Sequence, residues 1–303
     1  MVKERGNNMK IWGIDVSKYN YPIDWKKVKA AGVQFAILRV SSYRNMKNPN
    51  SIYKDPYFET FYKGAKAAGL PVGAYFYSQC ENEVQAKKEA NFVLECIKGK
   101  QFEYPIWIDV ENIHTLQTTT KAQLTNAVIT AMDILEKNGY YTGIYTGKYI
   151  LRDELNDSKL DKYDKWIAQY SSKCTYTGKY NMWQFGGEVN YLKNKKINGI
   201  GSDVADQNYC YVDYPSIIKK NGLNGYKKSE NTTPTTPAIP TKKENMYKVT
   251  SNALNVRSEP SIKDENIVGK LKKDDEVEIV EIKENWGKIS MNKWINLKYC
   301  KKL

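Results

Sequence analysis

Pro105-Ile106-Trp107-Ile108-Asp109-Val110-Glu111 is an apolar run that breaks into two carboxylates one residue apart. In a β-strand alternate side chains share a face, so Asp109 and Glu111 are predicted to point the same way, their α-carbons roughly 6.6 Å apart. A buried strand ending in two same-side acids delivers an acid and an electrostatic partner to a cleft. The alternative is a strand running into an ordinary acidic loop, and the surrounding sequence decides between them.

Predicted strands at Ile11–Val16, Phe35–Val40, Val72–Tyr77, Ile106–Val110 and Thr142–Tyr145 alternate with helical patterns over Trp25–Ala31, Asp55–Ala68, Glu83–Ile97 and Lys121–Lys137. A glycine closes each helix, at Gly32, Gly69, Gly99 and Gly139. Buried strands alternating with helices predict a parallel α/β sheet. Beyond Lys165 the helices fade, and Trp166–Tyr170, Asn181–Phe185 and about Asp203–Tyr211 read as successive strands. The expected architecture is a barrel whose last turns lack full helices, with reactive groups at the carboxyl ends of its strands. Those ends carry Asp15, Arg39, Tyr77, Asp109 with Glu111, Tyr145 and Gln169. Acids among aromatics fit a sugar cleft, where rings stack on pyranoses and carboxylates act on the glycosidic bond. Tyr75 and Tyr77 lie on one strand face, opposite Phe76, and are expected in the barrel lumen.

Residues 227–245, rich in Pro, Thr and Lys, form an expected extended linker between a first domain over 9–226 and a second over 246–303. The second reads as short strands (Tyr247–Thr250, Leu254–Arg257, Ile267–Leu271, Glu276–Glu281, Trp286–Ile289, Trp294–Asn296), hence a small all-β barrel. Its Trp286, Trp294 and Tyr299 suit either a core or a ligand surface.

The 303 residues carry a net charge of +13, which draws a protein toward polyanions. The lysines are scattered rather than grouped on one helix, so nucleic acid is not an expected partner. No run of 18 apolar residues occurs, so no membrane insertion is expected. The polar Met1–Lys10 lacks the apolar core of a signal peptide; residues 1–8 are expected to be a leader, and the protein to accumulate in the cytoplasm before reaching its target. Five cysteines with no CxxC spacing argue against a disulfide framework and a zinc site. The lone histidine, His114, rules out a multi-histidine metal site and is expected in a loop past the acids. No GxSxG, GxGxxG or Walker-type loop is present. Paired carboxylates, without metal or cofactor, are what remains of the usual hydrolytic toolkits.

Gly13-Ile14-Asp15-Val16-Ser17, Gly73-Ala74-Tyr75-Phe76-Tyr77, Ile108-Asp109-Val110-Glu111, Trp166-Ile167-Ala168-Gln169-Tyr170 and Trp183-Gln184, in that order, resemble glycoside hydrolase family 25, the muramidases. The resemblance covers about residues 10–215. Asn252-Ala253-Leu254-Asn255-Val256-Arg257-Ser258-Glu259-Pro260 and Trp286-Gly287 resemble bacterial SH3-like wall-binding domains. The combination looks like an endolysin of a phage with a Gram-positive, clostridial-type host. The resemblance implies an irregular TIM-like barrel of eight strands and about five helices that cleaves the β-1,4 bond between N-acetylmuramic acid and N-acetylglucosamine. Its partners would be bacterial peptidoglycan and associated wall polymers.

Carried over residue by residue, the resemblance makes Glu111 the general acid and Asp109 the carboxylate that stabilises the transition state or positions the acetamido group. It makes Asp15 the acid of the first strand. The last-strand acid is taken as Asp206, where Asp-x-Asn is intact, with Asp203 and Asp213 as alternatives because Ala205 interrupts the family pattern. Tyr75, Tyr77, Arg39, Tyr145, Gln169 and Trp183 are the expected substrate-binding residues. Glu111, near Trp107 and beside Asp109, has the surroundings that raise an acid's pKa, while Asp109 is expected to stay ionised. The acetamido group of such a substrate favours substrate-assisted catalysis. Two competing expectations are a glycosidase on another acetamido polymer such as chitin, and a non-catalytic wall-binding protein.

Overall fold

Strands that are apolar at nearly every position need cover on both faces, and the first part of the chain supplies it by closing its sheet into a barrel. The computed structural model describes residues 10–187, 196–201, 204–228, 246–279, 281–290 and 293–302. The chain divides into two units, Met1–Thr232 and Thr233–Leu303. The expected leader, most of the expected linker, and Asp203 lie outside the described residues.

In the first unit the strands are β1 (Ile11–Val16), β2 (Ala36–Tyr43), β3 (Ile52–Lys54), β4 (Val72–Tyr77), β5 (Ile106–Asp109), β6 (Thr142–Gly147), β7 (Asp164–Ala168), β8 (Met182–Gly186) and β9 (Asp206–Cys210). The helices are α1 (Trp25–Ala30), α2 (Phe58–Ala67), α3 (Glu83–Ile97), α4 (Ile113–Thr118), α5 (Lys121–Lys137), α6 (Lys148–Asp153) and α7 (Tyr214–Asn221). Strands β1, β2, β4, β5, β6, β7 and β8 run parallel, and β9 closes the ring antiparallel to both β8 and β1. Strand β3 stands outside the ring as a hairpin on β2. This is the expected eight-stranded irregular barrel. Among the described residues there are seven helices, two of them short ones beside the expected five or so. Helices α4 and α6 have six residues each and, unlike the equally short α1 with its Gly32, have no glycine stop to mark their ends in the sequence. His114 lies in α4 rather than in a loop.

Two apolar layers share the sheet. Outward residues such as Ile14, Leu38, Ala74, Phe76, Ile108 and Ile144 pack under α2, α3 and α5. Inward residues Phe35, Ile37, Tyr104, Trp107, Trp166, Met182 and Tyr214 fill the lumen. Rings this large fit because the neighbouring strand carries glycine. A Cβ on Gly13 would sit 2.4 Å from the Phe35 ring, and one on Gly143 would sit 2.4 Å from Trp107 and 2.7 Å from the Asp164 carbonyl oxygen. Trp107 then packs edge-on against Trp166 at 5.7 Å, and Trp166 against Tyr145 at 4.5 Å. This aromatic plug is the floor on which the barrel mouth is built.

The second unit consists of β10 (Met246–Val249), β11 (Ala253–Arg257), β12 (Ile267–Lys272), β13 (Glu276–Glu278), β14 (Glu281–Lys283), β15 (Trp286–Ser290), β16 (Lys293–Asn296) and β17 (Cys300–Lys302). They form a three-stranded sheet, β13-β10-β17, and a five-stranded one, β12-β11-β16-β15-β14, over a core of Val249, Leu254, Val256, Ile279 and Ile295. The single strand expected at Glu276–Glu281 is divided between the two sheets. Trp286 and Trp294 are buried, whereas Tyr299 is exposed.

Gly143→Ala is expected to destabilise the barrel by about 1–3 kcal/mol, because the added methyl meets backbone as well as a locked indole. Urea unfolding measures this; a midpoint equal to wild type would show that the lumen is not packed as described.

Candidate active site

All parallel strands of the ring present their carboxyl ends at one mouth, which collects Asp15 from β1 and Asp109 from β5. Alternation continues one step past β5. Val110 turns outward into the helix-facing layer, its N–H donating to the Tyr145 carbonyl at 2.9 Å, and Glu111 returns to the mouth. Thr146 Oγ1 donates to the Val110 carbonyl at 2.7 Å. Asn112 caps α4, its Oδ1 accepting from the Thr115 N–H at 2.8 Å. Glu111 is therefore fixed from both sides of its own backbone. Asp206 reaches the same mouth for the opposite reason: β9 is antiparallel, so its amino end lies there, in register with Asp15. Asp213 instead caps α7, accepting from the Ser216 N–H at 3.2 Å.

A buried hydrogen-bond chain ties the closing strands together. Asp15 Oδ2 accepts from Gln184 Nε2 at 3.0 Å and from Asn208 Nδ2 at 2.8 Å. Gln184 Oε1 accepts from the Tyr145 hydroxyl at 2.7 Å and the Tyr170 hydroxyl at 3.1 Å. Asn208 Oδ1 accepts from the Trp166 indole N–H at 2.8 Å. Burial pushes the Asp15 carboxyl up to about 6 against the lowering effect of the two amide bonds. Burial raises Asp109 strongly, and the charges of Glu111 and Asp15 add to it while Arg39 opposes. Glu111 is accessible through the cleft, yet the protein walls around its carboxyl raise its pKa, with the charge of Asp15 adding to the effect. In the free protein this cluster therefore retains protons where isolated carboxylates have lost them. This strong rise runs against the expectation that Asp109 stays ionised, and its cause is burial in a poorly solvated mouth that four carboxyls share, Asp15, Asp109, Glu111 and Asp206. Asp109 Oδ1 is buried and has no hydrogen-bond partner among the described residues.

The mouth opens into a cleft of about 710 Å3 whose walls include Asp109, Glu111, Tyr75, Tyr77, Arg39 and Tyr43. Tyr75 and Tyr77 line it, while Phe76 between them is buried in the outer layer. Tyr145 reaches the mouth through its bond to Gln184. Arg39 lies in the wall with its guanidinium committed to Asp55, at 2.8 Å. Two expected residues are not brought to the carboxylates. Met182 and Gln184 face inward on β8, so Trp183 faces outward, where it packs on Phe185 and Tyr209 and donates to the Gln169 carbonyl at 2.8 Å. The Gln169 side chain holds the loop beyond β7 through Thr175, with its Oε1 accepting from the Thr175 N–H at 2.8 Å.

Gln184, Asn208, Tyr170 and Glu89 also belong to the site, and the sequence pattern assigns them no role. Gln184 and Tyr170 each follow directly on an expected residue, Trp183 and Gln169. Glu89 leaves a visible signal, an acid inside the apolar stripe Ala86, Ala90, Val93 of α3. It is buried, accepts from Ser78 Oγ at 2.6 Å and the Gln79 N–H at 2.7 Å, and is also bonded by the Tyr43 hydroxyl. It thereby anchors the chain leaving Tyr77.

Proton transfer to a glycosidic oxygen is the chemistry that partly protonated carboxyls beside tyrosines can perform, and the fold delivers them as a glycoside hydrolase barrel does. The sequence match is specific: residues 14–193 fit the family described as Glycosyl hydrolases family 25, and the chain belongs to that family. It is 30% identical over 189 residues to an autolytic lysozyme of Clostridium acetobutylicum, covering 62% of this chain and 52% of that protein. It is 26% identical to the lysozyme of Lactococcus phage mv1 over 57% of this chain and 88% of the phage protein. The chain thus spans about half the length of the clostridial relative. Among solved structures, the CTP1L endolysin superposes with a TM-score of 0.57 at 27% identity, over 70% of each chain. The pneumococcal autolysin LytC bound to a synthetic peptidoglycan ligand gives 0.56 at 25% identity, over 66% of this chain and 46% of that one.

Glu89→Ala strands a hydroxyl of Ser78, the Gln79 N–H and the Tyr43 hydroxyl in a buried pocket. A loss of about 3 kcal/mol in unfolding free energy is expected. Chemical denaturation checks this, and a loss under about 0.5 kcal/mol would mean that water satisfies those groups.

Proposed function

We propose that this chain is a peptidoglycan muramidase that hydrolyses the β-1,4 bond between N-acetylmuramic acid and N-acetylglucosamine. The observation that carries the reading is the coupled set Asp15, Asp109 and Glu111 at the barrel mouth, with every member's pKa raised. The family membership and its lysozyme relatives support the same substrate class.

Glu111, accessible from the cleft, donates its proton to the leaving-group oxygen. The raised pKa keeps it protonated at pH values where a free glutamate is ionised. Asp109 presents Oδ1, which no protein donor among the described residues occupies, to the acetamido N–H of the substrate. So held, the acetamido oxygen can attack the anomeric carbon in a substrate-assisted displacement. Positive charge developing on the sugar ring is met by a mouth lined with Asp15, Asp109 and Asp206, and it favours their ionised forms. Asp15 acts mainly through its neighbours, setting the field on Glu111 while its own position is fixed by Gln184 and Asn208. The second unit, in this reading an SH3-like wall-binding domain, keeps the enzyme on its insoluble substrate and raises the local concentration of bonds to cut.

Glu111→Gln keeps the shape and removes the proton donor. Release of reducing ends from purified peptidoglycan should fall by about 10²–10⁴-fold, while the full-length variant still sediments with walls. More than about a tenth of wild-type activity would exceed what loss of a general acid allows. Release from chitin rather than peptidoglycan would move the substrate to the other acetamido polymer.

Asp15→Asn tests the field argument. The Asp15 charge raises the Glu111 pKa, so removing it should lower that pKa and move the alkaline limb of the kcat/KM profile to lower pH. An unmoved limb, or one moved upward, would contradict the coupling.

A further inference from the structure

The cleft is not lined by acids alone. The turn after β1 and the β2–β3 hairpin contribute Lys18, Tyr19, Arg44, Tyr53 and Lys54 to its wall. The charges there divide into two kinds. Lys54 is paired with Glu59 and Arg39 with Asp55. Lys18 and Arg44 have no carboxylate partner among the described residues. Asp55 is not available to Lys18 as a counter-ion, because the same Oδ2 takes the Arg39 guanidinium at 2.8 Å and the Lys18 backbone N–H at 3.0 Å. The Lys18 ammonium instead lies 5.1 Å from the Tyr19 ring centre and 5.2 Å from that of Tyr53. The Arg44 guanidinium lies 5.8 Å from the Tyr53 ring.

The Lys18 ammonium also hydrogen-bonds the Tyr53 hydroxyl, so neutral aromatic residues hold these two cations near the cleft without neutralising them. A cleft lined both by carboxylates and by uncompensated cations matches a substrate that is neutral at the bond to be cut and anionic on a substituent. A homopolymer of N-acetylglucosamine has no such anion. N-acetylmuramic acid has one, since its 3-O-lactyl ether carries a carboxyl group that is either free or extended by a peptide ending in carboxylates.

We propose that Lys18 and Arg44, framed by Tyr19 and Tyr53, form a subsite for the carboxylate borne on the 3-substituent of the muramic acid residue, and so select muramyl glycans over uncharged ones. This rests on the muramidase reading above, in its choice of glycan, but it is tested by binding and not by turnover.

The experiment uses the full chain carrying Glu111→Gln, so that bound glycan is not consumed. Dissociation constants are measured for three soluble fragments prepared from walls stripped of phosphate polymers. One bears peptide stems, one is stripped of stems to leave free lactyl carboxylates, and one has all its carboxylates converted to methylamides. The Glu111→Gln protein should bind a carboxylate-bearing fragment about tenfold tighter than the neutral one, the scale of one charge-assisted contact. Adding Lys18→Ala and Arg44→Ala should bring that ratio close to one, and Lys18→Arg with Arg44→Lys should keep most of it. A ratio lost only for the stem-bearing fragment assigns the site to stem carboxylates; a ratio lost for the stripped fragment too assigns it to the lactyl carboxylate. No preference in the parent, or a preference that survives the double alanine variant in a folded protein, overturns the proposal. Failure of the muramidase reading is a separate result, the absence of new reducing ends from wild type on any of the three fragments.

Discussion

The buried carboxylate of Asp15 is the point on which the barrel mouth depends. Its Oδ2 receives one amide from β8 and one from β9 while its backbone sits on β1, so a single oxygen joins the strands that close the ring. The two amides are themselves held, Gln184 by the Tyr145 hydroxyl and Asn208 by the Trp166 indole. Each member is satisfied by the next, which is the condition under which a buried polar network specifies one geometry. The same charge, little screened by solvent, raises the pKa of Asp109 and of Glu111. Closure of the fold and tuning of the acid are thus one interaction seen from two sides.

The network can be this exact in position because its floor cannot move. Trp107 and Trp166 fill the lumen below it edge to face, both fully buried, with Trp107 pressed against glycine backbone at Gly143. Outward residues of the same strands are clamped by α2, α3 and α5. Glu89 repeats the device on the outside of the mouth, where a helix-borne carboxylate holds the chain that leaves β4. Function is carried by short segments just past strand ends, and each is bound to a neighbour that is itself packed.

How legible this was in the sequence depended on the period of each element. The two-residue period of a strand puts Tyr75 with Tyr77 and Asp109 with Glu111 on one face each, and the end of the first strand puts Asp15 at the mouth. At β7 and β8 the same alternation was present, yet bulky Trp183 drew the reading and its neighbour Gln184 holds the inward position. The aromatic residue satisfies the outer surface through Phe185 and Tyr209, contacts that no local pattern announces. Gln169 was likewise chosen at a strand end, whereas its side chain serves a loop and the next residue, Tyr170, bonds to the network. Short helices without a glycine stop, such as α4, and the three-residue hairpin strand β3 carry too few residues for the period alone to reveal them.

By itself the sequence determined the alternation of strands and helices, the chemistry available to the site, and that Tyr75 with Tyr77 and Asp109 with Glu111 share a face, because these follow from periodicity and from residue type. The tertiary structure alone decided that β9 runs backwards. That reversal brings Asp206 to the mouth opposite Asp15 and leaves Asp213 to cap a helix. It also decided which cations are already neutralised and which are not, since the partners of Arg39 and Lys54 are set by how the hairpin folds back. Direction of a closing strand and pairing of charges are properties of the packed whole. They depend on distances between segments remote in the chain, and no run of residues encodes them locally.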